Sequence, residues 1–312
     1  MAVTAVTVTD VCLRDGLQDE PGLVGVDDKL RLAAALADAG LRSIEVGSFV
    51  RPDLVPQMAD TGEVFRRLPR AEGITRVALA PNQHGATAAV LAGADEVRLV
   101  LSASEGHSRS NTRRSRDDGI RAVADTVDHL QLEHPATTVT VAVATAFVCP
   151  FDGRVSPAEL VHVVRPFAEA GVTAVHLADT IGQASPRQVT DSVVAVRDAF
   201  PSLKLGLHLH DTYGRALANA WAGLQQGVEL FDAALGGIGG CPFAPGAAGN
   251  VATDDLVELL DSCGVESGIS VTALDEATEL LSAVLGRPLT TSTGTARCAA
   301  RQRRSSQEAG AA

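Results

Sequence analysis

Short β-branched runs and amphipathic stretches rich in Ala and Leu alternate eight times along this chain, and few folds accept that order. The strand candidates are Ala5–Thr9, Ser43–Val46, Arg76–Ala80, Glu96–Leu101, Thr138–Thr145, Ala174–Ala178, Lys204–His210 and Leu230–Leu235. Helix candidates fall between them, near 27–39, 61–68, 84–92, 117–131, 156–170, 187–199, 214–226 and 252–262. Ser156-Pro157 reads as an N-cap followed by Pro at the first helical position. Gly40, Gly93, Gly171 and Gly227 stand where C-terminal glycines belong. Eight β-then-α units predict an α/β chain folded as a TIM (β/α)8 barrel, because a doubly wound open sheet more often uses fewer. With 312 residues, 46% of them hydrophobic, the chain can bury one such core. No interdomain linker interrupts it, so residues 1–290 are expected to form a single barrel domain. After about residue 290 the composition shifts to Thr, Ser, Arg, Gln and Ala and the periodicity fades, so 291–312 is expected to be a short mobile extension.

Charge and cysteine usage narrow the function classes. The net charge is −12, from 38 acidic and 26 basic residues. Nucleic-acid binding needs a clustered positive surface, so no nucleic-acid partner is expected. The five cysteines, Cys12, Cys149, Cys241, Cys263 and Cys298, form no C-x-x-C pair. An odd count without that spacing argues against a disulfide framework and for a reducing compartment. The segment MAVTAVTVTD has no basic start and no long apolar run, and no stretch is long enough to span a bilayer. A soluble, cytoplasmic protein without a membrane partner is the expectation.

Barrel active sites sit at the C-terminal ends of the strands and in the loops that follow. In the run Lys204–His210, Leu205, Leu207 and Leu209 share one face, while Gly206, His208 and His210 share the other. Two inward imidazoles at this end of a strand form a natural metal-ligand pair. The first strand runs into Arg14-Asp15-Gly16, which offers a carboxylate beside a guanidinium; a surface ion pair is the plain alternative. In the second strand, parity sends Glu45 inward if Ile44 and Val46 face the helices. A buried carboxylate needs a partner, and Arg14 is the neighbour expected to supply it. The Gly- and Pro-rich segment 236–250 has neither of the familiar phosphate-loop spacings. It carries one thiol, Cys241, and reads either as a connector or as a mobile lid. Asn250 at its end is either an N-cap or a metal ligand.

The runs LRDGLQDE (13–20), IEVGSFV (44–50), VPQMAD (55–60), HLADTIG (176–182), HLHDTYGRALAN (208–219) and GGCPFAPGAAGN (239–250) resemble 3-hydroxy-3-methylglutaryl-CoA lyases. These are TIM-barrel metallolyases of the DRE-TIM group, and the resemblance covers roughly residues 4–290 in order and spacing. It implies one divalent ion, Mg²⁺ or Mn²⁺, held by Asp15, His208, His210 and Asn250. It further implies that Arg14 polarises the thioester carbonyl, that Cys241 is the lid thiol, and that Asp179 and Glu45 are active-site acids. Either Asp179 or His208 would serve as base. An acyl-CoA substrate, a homodimer and a place in leucine degradation follow from the same resemblance. So does a reaction in which a branched 3-hydroxyacyl-CoA is cut to acetyl-CoA and acetoacetate, or to the matching 3-oxo acid.

Three departures from the family pattern stand out. The first motif begins Leu13-Arg14 where the lyases usually have Pro-Arg. His176 replaces a small Ser, and the parity of Ala174, His176 and Ala178 points its ring into the barrel. There it either sits as a hydrogen-bonded core residue or alters the pocket. In the segment 102–115, Asn111 is kept but the second Asn of a basic K-N-x-N element is replaced by Arg113. Asn111 and Arg113, with Arg109 and Arg114, would meet CoA phosphates, or else form a solvated basic loop. Two rival readings remain at this level: a condensing acyltransferase of the isopropylmalate or homocitrate synthase kind, and a catalytically silent barrel used as a binding subunit.

Overall fold

Strands covered by helices on one side and by other strands' side chains on the other are buried on both faces, and these strands are composed accordingly. In the computed structural model, residues 3–240 and 249–310 are described. The chain begins with β1 (Thr7–Asp10), α1 (Val26–Asp38), β2 (Ser43–Ser48), α2 (Thr61–Arg67), β3 (Thr75–Ala80) and α3 (Gln83–Ala92). It continues with β4 (Glu96–Ser102), α4 (Glu105–Thr112), α5 (Arg116–Glu133), β5 (Thr138–Ala144) and a small hairpin of β6 (Val148–Cys149) and β7 (Gly153–Arg154). Then come α6 (Pro157–Glu169), β8 (Ala174–Asp179), α7 (Pro186–Ala199), β9 (Lys204–Leu209), α8 (Ala216–Gln225) and β10 (Leu230–Ala233). The helices α9 (Thr253–Ser262), α10 (Val271–Leu285) and α11 (Ser292–Gly310) complete it.

The eight long strands close into a parallel barrel in the order β1-β10-β9-β8-β5-β4-β3-β2. Closure depends on β1, which pairs with β10 from Thr7↔Leu230 to Asp10↔Ala233 and with β2 at Thr9↔Ser43. A closed ring excludes the open doubly wound sheet and matches the expected TIM barrel. The local signals also hold. Ser156 forms a capping box with Glu159, and Gly40, Gly93, Gly171 and Gly227 all have positive φ.

The structure adds two helices that the sequence did not announce and corrects one expectation. The segment 102–115 is mostly helical, because α4 occupies Glu105–Thr112. Only His107 and Ser108 of α4 are buried, so it has no apolar stripe to reveal it in sequence. The extension after 290 also forms a helix, α11, which its fading periodicity did not announce. Its Ala, Arg and Gln residues are good helix formers that carry no hydrophobic period. Near its start, Arg297 pairs with Asp275 on α10 at 2.6 Å and with Asp254 on α9 at 3.4 Å. Among the described residues, no helix is long and apolar enough to cross a membrane.

Candidate active site

The first ligand-bearing segment follows β1 directly. Cys12–Gly16 forms a π-helical turn in which Gly16 N–H donates to Val11 O at 3.1 Å. Such single turns re-aim side chains where an ordinary turn would not. Gly16 is required here, since a Cβ would come within 2.7 Å of Ile238. Asp10 braces the turn: its carboxylate accepts from Cys12 N–H at 2.8 Å and from Thr253 Oγ1 at 2.7 Å. Burial pushes the Asp10 carboxyl up to about 6, against the lowering effect of those bonds.

The turn presents Arg14 and Asp15 to the barrel mouth. Arg14 Nε donates to Glu45 Oε2 on β2 at 2.6 Å, the pair that strand parity predicts. Arg14 Nη1 bonds Asp15 as well, so two carboxylates fix the guanidinium plane. His208 and His210 reach the same point from β9 and the residue after it. Their Nε2 atoms lie 3.2 Å apart, and Asp15 Oδ2 stands 3.7 Å from His208 Nε2 and 3.6 Å from His210 Nε2. Burial would raise the Asp15 carboxyl, but Arg14 and the two histidines hold it well below the usual carboxylate range. Asn250 pairs with His210 in a β-bridge, and its Nδ2 donates to Asp15 Oδ2 at 2.8 Å. It does not cap α9, whose N-cap is Ala252.

These side chains fit a divalent ion. Neighbouring donors of an octahedral ion bound at ~2.1 Å are spaced by roughly 3 Å, and the three observed edges come close to that. Oxygen with imidazole donors suits a hard or borderline metal. Turning the Asn250 amide over would direct its oxygen, instead of Nδ2, into the cluster.

Sequence reasoning missed what lies behind the histidines. Asp232, buried on β10, sits with Oδ2 3.3 Å from His208 Nδ1 and Oδ1 3.3 Å from His176 Nδ1. Arg98 on β4 holds both its oxygens, at 3.0 and 2.9 Å, and reaches Glu96 at 3.2 Å. Arg98 also stands 4.0 Å from Glu45. A buried belt of alternating charge therefore crosses the barrel interior from Arg14 through Glu45, Arg98 and Asp232 to His208. Burial would raise Asp232, but Arg98 and the two imidazoles keep it ionised, well below the ordinary range. The signal was available: Asp232 opposes Phe231, and Arg98 opposes Val97 and Leu99, by the same parity that located His208.

The remaining predicted residues lie outside the three-residue cluster. Asp179 ends β8, and its carboxylate accepts from Gln183 N–H at 3.0 Å and Ala184 N–H at 3.0 Å. It is not one of the three residues of the metal-type cluster. Burial pushes it up to about 6 despite those bonds. Asn111 and Arg113 are exposed at the end of α4, where Arg113 takes a left-handed conformation at φ 58°. Arg109 is paired with Glu105 at 2.6 Å. Cys241 lies outside the described residues.

Comparison with known proteins identifies the family of this barrel. The HMGL-like family model matches residues 5–281. An (R)-citramalyl-CoA lyase of Chloroflexus aurantiacus is 43% identical over 295 residues, covering 91% of this chain and 92% of the relative. The hydroxymethylglutaryl-CoA lyase structure from Pseudomonas aeruginosa superposes with a TM-score of 0.90 at 38% identity, covering 96% of this chain and 99% of that one. An HMG-CoA lyase from Acinetobacter baumannii, solved with coenzyme A and 3-methylmalate, gives 0.87 at 40% identity over 94% of this chain and 95% of that one. The matched segment runs from the approach to β1 into α10 and so spans the whole barrel, and on that ground the chain belongs to the HMGL-like family and is a lyase.

Proposed function

We propose that this lyase cleaves a branched 3-hydroxyacyl-CoA of the 3-hydroxy-3-methylglutaryl-CoA kind to acetyl-CoA and an oxo acid. One observation carries the reading: a guanidinium locked between Glu45 and Asp15 lies beside a carboxylate–imidazole cluster at the barrel mouth. Asp15, His208, His210 and Asn250 would hold the divalent ion, Mg²⁺ or Mn²⁺, whose charge acidifies a neighbouring hydroxyl when it is bound. His208 has Nδ1 on Asp232 and Nε2 in the cluster, which leaves Asp179 to accept the hydroxyl proton. Two backbone N–H groups orient that carboxylate, and a folded value of about 6 suits a base working near neutrality.

The hydroxyl becomes a carbonyl as the adjacent carbon–carbon bond breaks. Its electron pair passes to the methylene of the thioester half, giving an enolate. The charge develops on the thioester oxygen, where the Arg14 Nη2 edge can meet it without rearranging. Cys241 is assigned the proton that quenches the carbanion, and Asn111 and Arg113 the CoA phosphates. By family likeness the working form is a homodimer, and the cysteine usage assigns it to a reducing, cytoplasmic compartment.

Turnover of a small panel of branched 3-hydroxyacyl-CoA thioesters tests this. Acetyl-CoA and an oxo acid should appear, stop on chelation and return with Mg²⁺ or Mn²⁺. Failure with every thioester, together with release of free CoA from acetyl-CoA and a 2-oxo acid, would instead identify a condensing acyltransferase.

A further inference from the structure

His176 is the one buried imidazole of the site that the proposed chemistry does not use. It lies on β8 in register with Gly206 of β9, one inward position below His208. Its ring fills the space that a side chain at 206 would take: a Cβ there would stand 2.5 Å from His176 Nδ1. The ring is 3% exposed, and its neighbour Asp232 is held by Arg98, so the imidazole has no room to swing aside. Nδ1 contacts Asp232 at 3.3 Å without the alignment of a full hydrogen bond. The ring thus contributes volume more than bonding.

Position turns that volume into a specificity element. Coenzyme A is too large to enter a barrel packed with side chains, so the thioester end must face the mouth. With the hydroxyl-bearing carbon at the Asp15–His208–His210 cluster, the acid half of the substrate is the inner end. The depth beneath the cluster is closed by His176, Arg98 and Asp232. We infer that His176 is a specificity-determining residue that shortens the acid side of the pocket. It selects 3-hydroxyacyl-CoA thioesters whose carboxylate sits directly on the hydroxyl-bearing carbon, over those with one more methylene. Cleavage of the short type balances without any further reactant: the C–C bond breaks, the hydroxyl carbon becomes the keto carbon of a 2-oxo acid, and the thioester methylene takes a proton to give acetyl-CoA. The inference rests on the lyase reading and sharpens its substrate class.

The test compares (R)-citramalyl-CoA, the short type, with 3-hydroxy-3-methylglutaryl-CoA, one methylene longer. Wild-type enzyme with Mg²⁺ should favour the short thioester in kcat/KM by at least about tenfold, the lower end of what a single methylene can discriminate. His176→Ser should move that ratio toward the long thioester by a similar factor. His176→Asn, which keeps more bulk and an amide that can face Asp232, should keep most of the short preference and guards against a folding defect in the serine variant. Calorimetric binding of citramalate against 3-hydroxy-3-methylglutarate should show the same reversal without turnover. A wild-type preference for the long thioester, or a ratio within twofold of wild type in folded His176→Ser, overturns the inference while leaving the lyase reading intact. Cleavage of neither thioester overturns the lyase reading itself.

Discussion

A single carboxylate, Asp232, serves a guanidinium and two imidazoles, and this fixes the chemistry of His208. With Nδ1 directed at Asp232, the proton of the neutral ring belongs on Nδ1, and Nε2 keeps its lone pair for the cluster. Asp232→Asn should therefore weaken Mn²⁺ binding by roughly 10–100-fold, the usual cost of losing an outer partner of a metal-ligating histidine. Titration calorimetry with Mn²⁺ reads it directly, and an unchanged affinity removes Asp232 from this role. The ligand proper is more demanding: Asp15→Asn should keep its circular dichroism yet lose at least ~100-fold in metal-dependent turnover, and near-normal activity would refute the ligand assignment. Arg14 is tested by shape. Arg14→Lys keeps the charge but not the fork that spans Glu45 and Asp15. Its kcat should fall by roughly 10²–10³ with KM little changed, as for the loss of an oxyanion donor; a change confined to KM would assign Arg14 to ground-state binding.

Among the elements, strands were the more legible. Alternation alone placed His208, His210 and Glu45 inside the barrel, because a strand repeats every two residues and its two faces meet different neighbours, helices on one side and the barrel interior on the other. The π-helical turn at Cys12–Gly16 was not legible: five residues carry no period, and the turn is imposed by Asp10 and by the close approach of Ile238. Helix α4 escaped for the related reason that its outer face is polar throughout. Asp10 makes the turn's dependence measurable. Its carboxyl has a folded value of about 6 against ~3.9 in an unfolded chain, so the folded state binds more protons between those values. Stability from this group is full below about pH 4 and is lost as pH rises through about 6, a change on the order of 3 kcal/mol. Asp10→Asn imitates the protonated form and should show a flatter profile. Urea unfolding of both proteins from pH 4 to 7 should give a stability difference that shifts in favour of the variant as pH rises, and a constant difference would show that Asp10 titrates alike in both states.

At the scale of the whole molecule, barrel closure makes the site, since Asp15 and His210 come from segments about 195 residues apart and meet only when β1 joins β10. No window of sequence contains that contact; what the sequence contained was eight repeats of one unit, which require a ring. The segment beyond the eighth repeat has no such template, and there composition gave no sign of the helix α11. Its anchoring is electrostatic and local. Asp254 on α9 is buried at 2% exposure, and its bonding partners come from beyond residue 290: Thr291 Oγ1 and, at 3.4 Å, Arg297. Ending the chain at residue 290 would take away both partners and the cover that α11 gives the carboxylate near Gly294. An unpartnered buried polar group costs about 1–3 kcal/mol, and in a chain of this size each kcal/mol lowers Tm by about 2–4 °C or somewhat less. The truncated protein should therefore melt a few degrees below the full chain, while its kcat at 25 °C, set by Arg14, Asp15 and His208, which are held by Glu45, Asn250 and Asp232, stays near wild type. Asp254→Asn in the truncated chain, which removes the stranded charge, should recover part of the loss. Equal melting temperatures for the full and truncated chains in calorimetry would mean that the contacts of Arg297 and Thr291 hold the helix to the barrel without stabilising it.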